Sequence, residues 1–142
     1  MTINEAQQAI VEEFVMFDQW LDRYNYIIEL SRELEPMDET HRNDKFLIQG
    51  CQSRVWVDAA LTPEGTVVYH ADSDAIITKG IIALLIRVLS GRTPDEILDN
   101  ELYFIDEIGL KENLSPTRAN GLLSMIKQMK LYALVYKGEL NK

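Results

Sequence analysis

A single cysteine, Cys51, in 142 residues rules out an intramolecular disulfide, and with it both a stapled secreted scaffold and a dithiol oxidoreductase. A resident iron–sulfur cluster needs about four ligands, usually thiolates, so the chain is a poor scaffold by itself. Histidine is almost as scarce. His41 and His70 are the only two, and with Cys51 they make an incomplete zinc set, so surface or packing roles are expected for both. Positive charge is short as well: fourteen Lys plus Arg against twenty-three Asp plus Glu give a net charge of -9, which opposes attraction to nucleic acid or to anionic membranes. The acidity reads as a solvated surface that keeps the protein dispersed. The longest apolar run, Ile81 to Leu89, is interrupted by Arg87 and falls far below the roughly 20 residues of a membrane span. The opening stretch MTINEAQQAIVEEF has neither the basic start and apolar stretch of a secretory signal nor an Arg-rich transit pattern, so a cytoplasmic protein in a reducing compartment is expected. Glycine-rich phosphate loops and the flanks of known Ser/His/Asp hydrolases are missing too.

What is present suffices for one core. With 46% hydrophobic residues, the chain reads as a single domain over residues 1–142. Ile3, Ala6, Ile10, Phe14 and Phe17 recur at helical spacing, as do Trp20, Tyr24, Ile27, Ile28, Leu30 and Leu34, which predicts two amphipathic helices. Pro36 closes the second, and the polar stretch to Lys45 reads as a loop. Ser53 to Leu61 and Thr66 to Ala71, joined by Thr62-Pro63-Glu64-Gly65, predict a β-hairpin. Alternation puts Val55, Val57, Ala59 and Leu61 on the core face, and Arg54, Trp56 and Asp58 on the other. Asp72-Ser73-Asp74 offers N-cap chemistry for an apolar helix from Ala75 to about Ser90, closed by Gly91. Thr93-Pro94-Asp95-Glu96 has the form of a capping box and starts a short helix. Ser115-Pro116 opens a last helix through Leu122, Met125, Ile126, Met129 and Ala133 to Tyr136, with Gly138 marking its end. The expected class is α+β: a small antiparallel sheet packed against helices, in the order α-α-β-β-α-α-α.

The chemistry then falls to Cys51, in Gln49-Gly50-Cys51-Gln52-Ser53 between a short apolar stretch and the hairpin. A lone cysteine is by default a small buried hydrophobe. Here Gly50 permits a tight backbone, and Gln49, Gln52 and Ser53 are hydrogen-bonding groups, a poor setting for an apolar plug and a fitting one for a loop thiol. A thiolate can attack the outer sulfur of a partner's persulfide, by the displacement that drives thiol–disulfide exchange. With no second thiol to resolve it, the product is a carrier state.

The residues resemble the SufE/CsdE family of sulfur acceptors. The likeness is carried by Tyr26-Ile27-Ile28-Glu29-Leu30, Gly50-Cys51-Gln52-Ser53-Arg54-Val55-Trp56, Asp72-Ser73-Asp74-Ala75 with Lys79-Gly80, and Leu114-Ser115-Pro116-Thr117-Arg118 with Gly121-Leu122. The resemblance implies a SufE/IscU-like fold with Cys51 on a loop as persulfide acceptor. It implies a cysteine desulfurase (SufS/CsdA-like) as donor and activated partner, and a SufBCD-like scaffold complex as recipient. Pyridoxal phosphate would belong to the desulfurase, and the chain would hold no cofactor of its own. Arg118 matches the family's arginine after the Ser-Pro cap; beside Cys51, its charge would favour the thiolate. Asp74 serves either as N-cap of the central helix or as an acceptor for backbone N–H groups of the cysteine loop. Gly50, Gln52 and Ser53 are support residues of that loop. Trp56 and Gly80 are assigned to packing. The competing reading is a non-transferring thiol regulator or docking partner of a desulfurase. A hydrolase using Cys51 lacks a recommended histidine base, and monomer or homodimer is left open.

Overall fold

The computed structural model describes residues 1–48 and 53–141. Helix α1 (Ile3–Phe14) starts at a full capping box. Thr2 Oγ1 accepts the Glu5 N–H at 3.0 Å, and the Glu5 carboxylate accepts the Thr2 N–H at 2.9 Å. The helix buries Ile3, Ala6, Ile10 and Phe14 along one stripe, the spacing legible in the sequence. Helix α2 (Trp20–Leu30) tightens into a 3₁₀ turn, Ser31–Glu33, before Pro36. Strands β1 (Val55–Leu61) and β2 (Val67–Ser73) form the antiparallel hairpin, in register from Val55 opposite Ser73 to Leu61 opposite Val67. Gly65, at φ 85°, supplies the left-handed turn between them.

Five helices follow among the described residues: α3 (Ile76–Leu89), α4 (Pro94–Asp99), α5 (Phe104–Glu107), α6 (Leu110–Asn113) and α7 (Pro116–Leu140). The class is α+β, as expected, but three helices after the sheet were expected rather than five. The extra two, α5 and α6, are single turns, too short to show a period. Thr93 forms its capping box with Glu96, and Ser115 Oγ accepts the Arg118 N–H at 3.3 Å. Gly138 does not end the last helix, which continues to Leu140.

Helix α3 is the centre of the core, with Ile82, Leu85, Val88 and Leu89 fully buried. It lies so close to α2 that a Cβ on Gly80 would stand 2.7 Å from Ile27 Cγ2 and 2.9 Å from the Ile27 carbonyl carbon, nearer still to its oxygen. Helix α7 is stitched to the hairpin by three phenols. Tyr69 donates to the Met129 carbonyl at 2.6 Å, and Tyr132 and Tyr136 donate to the Val57 and Ala59 carbonyls, each at 2.8 Å. Fully buried Gln7 ties α1 to the α4–α5 connection, donating to Glu101 O at 3.0 Å and accepting from Phe104 N at 3.2 Å.

Candidate functional site

Three element beginnings meet at one end of the molecule: the start of β1, the start of α3 and the start of α7. Ahead of β1, residues Phe46–Ile48 run antiparallel along its outer side. Val57 N–H donates to Phe46 O at 3.0 Å, and Ile48 N–H to Val55 O at 2.8 Å. The chain therefore leaves β1's flank at Ile48 and rejoins it at Ser53. Residues 49–52, which carry Gly50, Cys51 and Gln52, lie outside the described residues.

The returning limb is held at Arg54. Its N–H donates to Asp74 Oδ1 at 3.0 Å; its carbonyl accepts from Ser73 Oγ at 2.8 Å and from Asp74 N–H at 3.2 Å. This corrects the cap reading of Asp74. The N-cap of α3 is Ala75, which makes no side-chain cap bond, and Ser73 Oγ accepts the Ala75 N–H at 3.2 Å. The physical reason is that β2 runs on to Ser73, so the ladder claims these residues before the helix can. Asp74 is exposed, and its carboxylate turns across to the β1 side, where it accepts from Arg54 N–H. Lys79 is engaged elsewhere, 3.5 Å from Asp72, which also pairs with Arg42 at 3.4 Å.

Beside this limb lies a cavity of about 70 Å³, lined by Ser53, Thr78, Ile81, Thr117, Arg118, Gly121 and Met125. A water needs about 10–15 Å³ measured this way, so the space takes a few water-sized groups. Ile81, Gly121 and Met125 are buried and form its floor, while Arg118 and Thr117 are exposed and Ser53 and Thr78 half-buried. Ser53 and Arg118 are thus brought together; Asp74 is not part of the lining. Three hydroxyl-bearing residues and one arginine in the lining make a composition that suits an anion better than a neutral group. A positive charge at a helix start opposes the helix dipole, so Arg118 is not there to stabilise α7. Thr78 went unnoticed in the sequence, Ser73 was read only as part of the cap sequence before α3, and Thr117 carried no expected role. The available signal was spacing: Thr78 and Ile81, three apart, share one face of α3.

Other clusters lie apart from this end. A larger cleft of about 390 Å³ runs between Glu33–Glu35, β2 and α3, with His70 and Arg87 in its walls; it contains none of the candidate residues. Both histidines lean on Asp58, His41 Nδ1 at 2.5 Å and His70 Nδ1 at 3.4 Å. Asp58 is thereby buried on the outer sheet face. Among the described residues no group of three His, Cys, Asp or Glu side chains could hold a metal, and no helix is long and apolar enough to cross a membrane.

A small hairpin backed by a central and a long C-terminal helix, with hydroxyls and an arginine gathered where three elements begin, defines a compact α+β protein. The family model described as SufE, Fe-S metabolism associated domain, matches residues 8–133. SufE-like protein 1, chloroplastic/mitochondrial, of Arabidopsis thaliana is 41% identical over 134 residues, which is 93% of this chain and 36% of the plant protein. The chain thus spans about a third of that relative's length. An uncharacterised SufE-like protein of Rhizobium meliloti is 38% identical over 125 residues, covering 85% of this chain and 89% of that one. In fold, the solution structure of a hypothetical protein from Thermus thermophilus matches with TM-score 0.77 over 97% of this chain and 99% of that chain, at 22% identity. The chain belongs to the SufE family, and its role is in iron–sulfur metabolism.

Proposed function

We propose that the chain is a sulfur carrier, in which Cys51 takes persulfide sulfur from a cysteine desulfurase and passes it to a Suf-type scaffold complex. The observation that carries this reading is family membership across residues 8–133 in a chain whose one thiol belongs to the segment between Ile48 and Ser53. In the transfer step the Cys51 thiolate attacks the outer sulfur of the desulfurase's cysteine persulfide. The donor's S–S bond breaks, its cysteine leaves as thiolate, and a new S–S bond makes Cys51 the persulfide, with no external oxidant or reductant. Pyridoxal phosphate, on this reading, serves the desulfurase that generates the persulfide.

The chain's own groups support the two anionic states, thiolate and persulfide. Arg118 supplies fixed positive charge, and Ser53, Thr78 and Thr117 supply hydroxyl donors around the 70 Å³ cavity. Ser53, two positions after Cys51 in the sequence, is one of the residues lining this cavity. Ser73 and Asp74 fix Arg54, the next residue along.

Incubating the protein with the desulfurase of its host and L-cysteine, followed by intact mass before and after reduction, tests the proposal. A reducible one-sulfur adduct, absent from Cys51→Ser and accompanied by faster desulfurase turnover, is the expected result. No adduct and no stimulation with a demonstrably active desulfurase would sink it, leaving a non-transferring regulator.

A further inference from the structure

The outer edge of β1 is taken by Phe46–Ile48, whereas the outer edge of β2 is only partly taken. Its pairing phase is fixed at both ends of the hairpin, where Thr62 N–H donates to Thr66 O at 2.8 Å and Asp74 N–H to Arg54 O at 3.2 Å. Even-numbered residues of β2 therefore bond across to β1, and odd-numbered ones turn their N–H and C=O outward. Val67 uses both groups on the α3–α4 connection, donating to Arg92 O at 2.8 Å and accepting from Gly91 N–H at 2.7 Å. Tyr69 N–H donates to Ser90 Oγ at 3.0 Å. Beyond that point the edge is bare: Tyr69 C=O, Ala71 N–H and Ala71 C=O meet no hydrogen-bond partner among the described residues. The cleft of about 390 Å³ runs alongside, its lining including four consecutive β2 residues, Val68 to Ala71. The side chains of Tyr69 and Ala71 are packed in the core, so what these two present to the cleft is main chain. Buried backbone groups are nearly always paired, and an uncovered sheet edge is a template for another strand.

We propose that this cleft is a peptide site, in which an extended segment of a partner protein adds to the β2 edge as a further, antiparallel strand. The segment's residue opposite Ala71 donates its N–H to Ala71 C=O and accepts from Ala71 N–H, and a residue two positions away donates to Tyr69 C=O. Three extended residues, about 10 Å of chain, cover this stretch. Charge selects the chemistry of the segment. Arg87 is engaged by Glu13 at 3.0 Å and His70 leans on Asp58. Glu33 and Glu35 are exposed in the lining and join no ion pair among the described residues. The occupant is therefore a segment with basic side chains towards these two carboxylates, alternating with apolar ones towards Leu34 and Ile86. The cleft holds none of the candidate sulfur-site residues and lies on the edge of the hairpin opposite Phe46–Ile48, so the proposal stands apart from the sulfur-carrier reading.

Titrating the isotope-labelled full chain with the blocked peptide acetyl-Lys-Val-Lys-Val-Lys-amide, followed by amide NMR shifts, tests it. Shifts should saturate and centre on residues 68–71 and 83–90, and the Ala71 amide should exchange more slowly with solvent in the saturated complex. A basic peptide is attracted to an acidic protein without any strand pairing, and N-methylation of its three central amides separates the two effects. The methylated peptide keeps the charge and the side chains but loses the donors, and should bind about tenfold more weakly or worse. Glu33→Gln with Glu35→Gln should weaken binding of the parent peptide several-fold. Saturation without shifts at Tyr69 and Ala71, no binding up to millimolar peptide, a methylated peptide that binds equally, or a double glutamine variant of unchanged affinity would each overturn the proposal.

Discussion

Replacing Asp74 by alanine separates two jobs that the sequence could not tell apart. The carboxylate accepts the Arg54 N–H at 3.0 Å, while the helix behind it has Ala75 as its N-cap and no side-chain cap bond to lose. A hydrogen bond to a charged acceptor contributes roughly 1.5–3 kcal/mol when sheltered. Asp74 is exposed, and two bonds to the Arg54 carbonyl, from Ser73 Oγ and Asp74 N–H, survive the change. The expected loss is therefore about 1 kcal/mol, which is about a fivefold shift in a local opening equilibrium. Native-state hydrogen exchange reads this directly: the Arg54 amide should exchange about five times faster in Asp74→Ala. Asp74→Asn keeps an acceptor without the charge and should fall between. Amides in the first turn of α3 should not change. If those amides become the ones that accelerate while Arg54 stays protected, Asp74 is a helix cap and the assignment is wrong. On the sulfur-carrier reading, alkylation of Cys51 by a small reagent should speed up by a similar factor.

Gly80→Ala sets two terms of opposite sign against each other. Helix propensity favours alanine by about 1 kcal/mol, but the added Cβ meets the Ile27 backbone of α2, and overpacking against a partner that cannot swing away costs about 3 kcal/mol. A net loss near 2 kcal/mol should lower the urea midpoint; a raised midpoint would refute the close approach. At high pH, burial above all holds the Tyr26, Tyr69, Tyr132 and Tyr136 phenols neutral, Tyr26 up to about 12. A folded-state pKa above the unfolded value of 10.0 gives stability that is present below pH 10 and lost as pH rises towards each folded value. Unfolding free energy should accordingly fall steadily above pH 10, and in a variant with Tyr24→Phe and Tyr103→Phe phenolate absorbance should appear together with unfolding; phenolate that forms at pH 10 in that variant while it is still folded would contradict it. If Arg118 favours the Cys51 thiolate, Arg118→Ala should move the pH profile of Cys51 alkylation upward, and an unmoved profile removes Arg118 from the site.

Features set by local chemistry were readable in the sequence. The Thr93 box, the Ser115 cap, the alternation that buries Val55 and Val57, and the narrow contact at Gly80 each depend on residues close in sequence or on one steric fact. Features decided by competition between distant segments were not. Asp72-Ser73-Asp74 is good cap chemistry, and only the length of the β1–β2 ladder decides that Ser73 ends a strand and that Asp74 faces Arg54. Gly138 looks like a stop signal, yet the helix passes through it to Leu140. Arg118 and Ser53 were expected near the cysteine segment from resemblance, whereas Thr78 joins them only because α3 packs against the start of α7. Asp58 looked like a solvent-facing strand residue and is buried because the loop bearing His41 folds over it.

The lining of the small cavity divides in a way that determines which variants report on chemistry. Its floor, Ile81, Gly121 and Met125, belongs to the hydrophobic interior, and substitutions there would disturb the packing of α3 on α7 before they disturbed any bound anion. Its rim, Ser53, Thr78, Thr117 and Arg118, is exposed or half-buried and contributes little to the core. On the sulfur-carrier reading, rim substitutions should therefore leave the unfolding free energy within about 0.5 kcal/mol of the parent while altering thiol reactivity, and floor substitutions should lower stability first. A rim variant that loses both stability and sulfur uptake would mean that the hydroxyls hold the fold rather than the anion. The beginnings of β1, α3 and α7 would then have met for structural reasons alone.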